Sequence, residues 1–139
     1  LAGLGQRDAA RAALEQAVQI TRKGYRRGHS HTRRAEISLE RLQAQDGDAS
    51  AVAQLLAQSQ QSAGDIEQHK AAWLAGAYAA EAQCHGDPDA ARVQLESLLA
   101  QMQQALPEGG AVPREVRRIR DACKSSPPPS TPAHASRAR

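Results

Sequence analysis

The chain has no phenylalanine, one tryptophan and two tyrosines among its 139 residues. Its apolar content is therefore mostly Ala, Leu and Val. A sheet draws on β-branched and aromatic residues, and stretches with period-two alternation are also missing. Small, straight-chain apolar residues favour helix instead. The scarcity of aromatics removes the stacking surface on which single-stranded nucleic acid is usually held. No apolar run approaches the ~20 residues that a membrane-spanning helix needs.

Chemistry-bearing patterns are equally sparse. Cys84 and Cys123 stand in neither metal nor redox spacing, and whether they pair or stay free is open from the sequence. His29-x-His31 and Cys84-His85 each lack the second ligand pair of a zinc site. Gly3-Leu4-Gly5 is not followed by the Gly-Lys of a phosphate loop. The acid pairs Asp46 with Asp48 and Asp87 with Asp89 fall at expected helix starts, where capping accounts for them. No catalytic residue, metal or cofactor is assigned. The chain shows no signal peptide and does not begin with Met, so it is read as a fragment, cytoplasmic unless a targeting signal lies upstream.

What is present is charge segregation and helical spacing. The net charge is only +3, yet Arg22, Lys23, Arg26, Arg27, Arg33, Arg34 and Arg41 crowd into residues 21–41 against Glu36 and Glu40. The stretch 42–100 is acidic, with Lys70 and Arg92 as its only Lys or Arg. The basic run suits a solvated helix end, because cations are favoured at a helix C-terminus. The sharper alternative is a site for an acidic or phosphorylated peptide. Nucleic acid is the least favoured partner.

Glycine-centred breaks at Gly5-Gln6, Gly47-Asp48, Gly86-Asp87-Pro88 and Gly109-Gly110 divide the chain. Between them the apolar spacing predicts six helices: about 7–23, 32–45, 49–62, 66–85, 88–106 and 113–123. The first should bury Ala10, Leu14, Ala17, Val18 and Thr21, and the third Val52, Leu55, Leu56 and Ser59. Asp48, Asp65 and Asp87 are the expected N-caps, the last followed by Pro88 at the first helical position. The segment 124–139 is rich in Pro and Ser and reads as a disordered tail.

After Gly5, Gly47 and Gly86 comes a similar helix, with Ala10, Leu14 and Ala17 matched by Val52, Leu56 and Ser59 and by Ala91, Leu95 and Leu98. A recurrence of about 40 residues with two helices per unit marks an α-solenoid. These offsets resemble the tetratricopeptide repeat, in the long variant of kinesin light chains and many bacterial regulatory proteins. Gly28-His29-Ser30-His31-Thr32 is similar to that variant's linker, with Ser30 where its proline would stand. The resemblance implies an all-α solenoid of antiparallel helical hairpins over residues 1–123. Its units would be about 1–28, 29–63 and 64–106, with a capping helix at 112–123. Glu36, Glu40 and Gln43 depart from the pattern, standing where the second unit wants small or apolar residues. With a turn at Gly5, the chain would begin inside a repeat and would either be marginally stable or self-associate through residues 7–23.

The resemblance further implies a non-enzymatic module that binds a peptide or helix of a partner protein in the groove between first helices. Arg34, Arg41, Gln45, Trp73 and Gln83 map to that groove. The alternatives are the C-terminal repeat region of a bacterial serine/threonine kinase or transcriptional regulator, and a structural spacer.

Overall fold

The computed structural model describes residues 2–25, 29–61 and 64–125. The described chain is all-helical, with no strand among these residues: α1 (Ala2–Gly24), α2 (Ser30–Gln45), α3 (Ala49–Ser59), α4 (Ile66–Gln83), α5 (Pro88–Ala105) and α6 (Ala111–Ser125). The tail expected at 124–139 lies outside the described residues from 126 onward, and α6 itself continues through Ser125.

Local chemistry explains most boundaries. The Asp48, Asp65 and Asp87 side chains each accept a backbone N–H of the helix they open, which satisfies donors that have no partner inside the helix. His29 does the same for α2, its ring Nδ1 accepting from the His31 N–H at 3.1 Å. The α2–α3 turn passes through Gly47 at φ 92° and the α5–α6 turn through Gly109 and Gly110 at φ 82° and 133°, conformations that glycine adopts without Cβ clash.

Gly5 behaves differently, and the turn expected there is not formed. α1 runs unbroken through it. Gly5 is followed by Gln6 and Arg7, so no acid is placed to cap a new helix, whereas Gly47 and Gly86 are each followed by Asp. A glycine within a helix costs only about 1 kcal/mol, too little to break one by itself. The spacing from Gly5 to Gly47 is therefore not a structural repeat.

Each helix packs on the next in sequence, and α4 also packs on α2 and on α6. The odd-numbered helices do not touch one another. α4 lies at the centre of this arrangement and is buried on every side, including Ala71, Ala75, Ala77 and Ala79. A helix that is apolar all round belongs in such a position. Its small residues permit the close approach: a Cβ built on Gly76 would lie 3.4 Å from Ser59 Cβ of α3 and 3.5 Å from Leu98 Cδ1 of α5. The core extends from Ile37 and Leu55 through α4 to Leu95, Met102, Val116 and Ile119. Leu56, expected on the inner face of α3, is exposed, as is Val93 of α5.

α1 touches only α2. Val18 is buried, Leu14, Ala17 and Thr21 are half-buried, and Ala10 is exposed rather than packed. Polar contacts make up for the thin apolar interface. Arg22 forks onto Glu36 at 2.8 and 3.2 Å, and Arg7 and Arg11 both pair with Asp46. These contacts explain why carboxylates replace apolar residues on this side of α2. One turn beyond Glu36, Glu40 is half-buried, with its Oε1 sealed from water and unbonded; Arg11 Nε is likewise sealed and unbonded.

Burial, and secondarily the charge of Glu36, pushes the Glu40 carboxyl up from 4.5 to about 7. Because the folded pKa is raised, the neutral acid is the form the fold prefers. Its contribution is fully present below about pH 4.5 and is lost as pH rises to about 7. Glu40→Gln should therefore raise stability above pH 7 by about 1–2 kcal/mol, discounted for partial exposure. Urea melts across the pH range would check this, with the gain fading toward pH 4.5. A variant no more stable than the parent at pH 8 would refute it.

Candidate functional site

Where α2, α4 and α6 meet, five polar side chains form a continuous ladder. α2 contributes Arg41, α4 contributes Tyr78 and Glu81, and α6 contributes Glu115 and Arg118. The pairs 78/81 and 115/118 have the i, i+3 spacing that puts two side chains on one face of a helix. Arg41 forks onto Glu81, Nε to Oε1 at 2.8 Å and Nη2 to Oε2 at 2.9 Å. The same guanidinium lies over the Tyr78 ring, 4.7 Å from its centroid, a cation–π placement. The Tyr78 hydroxyl donates to Glu115 Oε2 at 3.1 Å, and Arg118 forks onto both oxygens of Glu115 at 2.9 Å.

The electrostatics follow from these contacts. The hydrogen bond to Glu81 holds Arg41 above its ordinary pKa despite burial. Burial, with the adjacent Glu115, raises the Tyr78 phenol to about 12. The bond from Arg118 holds Glu115 below the usual carboxylate range. Bidentate Arg–carboxylate pairs are the most directional ion pairs available to a protein. The ladder is thus a rigid, charge-balanced surface spanning three helices. It contains no activated nucleophile and no acid–base pair poised for proton transfer. Among the described residues, no three His, Cys, Asp or Glu side chains are grouped to hold a metal ion.

Of the residues assigned from sequence, Arg41 sits in the ladder. Arg34 and Gln45 lie on the same stripe of α2, seven residues before it and four after it. Arg34 is half-buried and Gln45 exposed. Trp73 and Gln83 each stand five residues from Tyr78 on α4. At 3.6 residues per turn that spacing carries them off the ladder's stripe. Trp73 is half-buried, packs against the core and lies 6.0 Å from the His69 ring; Gln83 is exposed. Tyr78, Glu81, Glu115 and Arg118 were not singled out from sequence. Their visible signal is the Glu115–Arg118 spacing, which surface helices commonly show.

Much of the basic run is consumed inside the fold. Arg22 pairs with Glu36 and Arg41 with Glu81. Arg33, only 5% exposed, serves the ends of two other helices. It donates to Gln58 Oε1 and O at 3.0 and 2.9 Å, to the Gln61 carbonyl at 3.0 Å, and to Gln68 Oε1 and O at 2.6 and 3.3 Å. Arg26 and Arg27 lie outside the described residues.

Cys84 and Cys123 form a disulfide with their Cα atoms 5.8 Å apart, joining the C-terminal end of α4 to the last turns of α6. No helix among the described residues is long and apolar enough to cross a membrane. Neither a known family model, nor a curated protein, nor a solved structure matches the chain.

Proposed function

We propose that this chain is a protein-interaction module, built as a short α-solenoid of antiparallel hairpins similar to tetratricopeptide-type repeats. Its α2–α4–α6 face would receive a peptide or helix of a partner protein. The observation that carries this reading is the ladder from Arg41 to Arg118, which makes one continuous polar surface out of three successive even-numbered helices. The contact pattern supports it, since stacked hairpins bring alternate helices into one row. So does the spacing: Gly47 and Gly86 are 39 residues apart, the same separation as Cys84 and Cys123. On this reading Arg34 is the available cation beside the ladder, because no ion pair or hydrogen bond occupies its side chain among the described residues.

The ladder's internal charge balance favours a second reading, a structural spacer whose inner row is closed. Panning a random peptide library against the oxidised chain separates the two. A binding module should enrich peptides that compete with one another and lose about tenfold in affinity, ~1.4 kcal/mol, on Arg34→Glu. No enrichment, or binders indifferent to that charge reversal, would leave the spacer.

A further inference from the structure

A second surface lies on the other flank of α6, away from the ladder and independent of it. α5 and α6 enclose an open cleft of about 380 Å³ beside the Gly109-Gly110 turn. On α5 the stripe Glu96, Leu99, Gln103 and Leu106 faces it, and on α6 the stripe Pro113, Arg117 and Arg120. Both follow the i, i+3, i+4, i+7 spacing of a single helix face. Met102, which is 1% exposed, closes the bottom. The floor is thus apolar, made by Leu99, Met102, Leu106 and Pro113, and the α6 rim is cationic.

The two rim arginines differ. Arg120 is engaged, 3.7 Å from Glu96 and 3.1 Å from Asp121. Arg117 is exposed, and no carboxylate pairs with it among the described residues. Arg114, one turn earlier, is in the same condition. Arg118 is taken up by Glu115 on the opposite flank. α6 therefore presents uncompensated positive charge beside a cleft with an apolar floor, whereas in the basic run at 21–41 Arg22 and Arg41 are paired with Glu36 and Glu81.

We propose that this cleft binds an acidic peptide segment of a partner protein, with a leucine-sized side chain on the Leu99–Leu106 floor and a carboxylate on Arg117. Charge complementarity selects the partner, since a bidentate guanidinium–carboxylate contact fixes both charge and orientation. The cleft's dimensions suit the anchor: it is open to solvent and large enough for one or two aliphatic side chains.

The test is an NMR titration of the full oxidised chain with the peptide acetyl-Leu-Glu-Leu-Asp-amide, using acetyl-Leu-Gln-Leu-Asn-amide as the neutral control. Amide shifts are expected at Leu99, Leu106, Gly109 and Arg117, with the neutral peptide and the Arg117→Gln variant each weakening binding roughly fivefold. Arg117 is exposed, so that variant keeps the fold, and Arg114→Gln, off the lining, should bind nearly as the parent does. Binding that ignores Arg117→Gln, equal binding of the neutral peptide, or shifts confined to the α2–α4–α6 face would each overturn the proposal. So would stronger displacement by a short single-stranded DNA, which would assign the cationic rim to a phosphate backbone instead.

Discussion

Reducing the Cys84–Cys123 disulfide should lower the stability of the chain by about 4 kcal/mol, the loop-closure entropy released when a crosslink across 39 residues is opened. The closed loop contains all of α5 and most of α6, so the loss should concentrate there. Reduction leaves Val112, Val116 and Ile119 buried against the rest of the core, so α6 should stay helical and docked while opening more often. Urea melts with and without reductant give the magnitude, and the Cys84→Ala/Cys123→Ala variant repeats it without reductant. Midpoints that coincide in the oxidised and reduced chains would refute the expectation. Such a bond persists in oxidising compartments and is rare in reducing ones, which weighs against the cytoplasmic location expected from the lack of a visible signal peptide. The same redox melts, run at the glutathione poise of a candidate compartment, bear directly on that question.

Replacing Arg33 should cost about 3 kcal/mol, the range for breaking a buried, charged hydrogen-bond hub. The side chain reaches from the first turn of α2 to Gln58 and Gln61 at the end of α3 and to Gln68 at the start of α4. Arg33 donates to the Gln58 carbonyl in the last turn of α3, which also accepts the Gln61 N–H, and to the Gln61 carbonyl just past the helix. Burial lowers its pKa, with Glu36 pulling the other way, yet an arginine remains charged at physiological pH. Arg33→Met fills similar volume but removes all of these donated bonds, while the Gln58 carbonyl keeps only the Gln61 N–H. Arg33→Lys keeps the charge but cannot reproduce the guanidinium fork, so both variants should be destabilised, with α3 loosening first. A loss below about 0.5 kcal/mol in Arg33→Met would mean that the carbonyls find water at no cost.

The helices were legible where the signal is local. Asp48, Asp65 and Asp87 cap the helices that their positions announced, because an N-cap needs only a short polar side chain and the next three residues. Gly5 misled because glycine alone does not make a turn; its neighbours decide. Arg33 looked like one more surface cation because nothing within its own helix shows that two other helices end beside it. The pairing of Cys84 with Cys123 and the joining of Arg41 to Glu81 depend on contacts between residues roughly 40 apart. A single sequence does not report such contacts. Glu40 was legible as a misfit in the repeat pattern, but its physical account, a carboxyl sealed beside a thin interface, required the position of α1. The cleft at Arg117 was not legible at all: the charge count drew attention to residues 21–41, where Arg22 and Arg41 turn out to be paired with Glu36 and Glu81.

The single-sided attachment of α1 gives the molecule a direction. At one end a 23-residue helix is held by a single neighbour; at the other, α6 is covalently tied to the central helix. Local opening free energies follow the number of partners that must be left behind. The chain should therefore fray progressively from α1 inward, so that a protease meets α2's hidden carboxylates long before it can cut within α5 or α6.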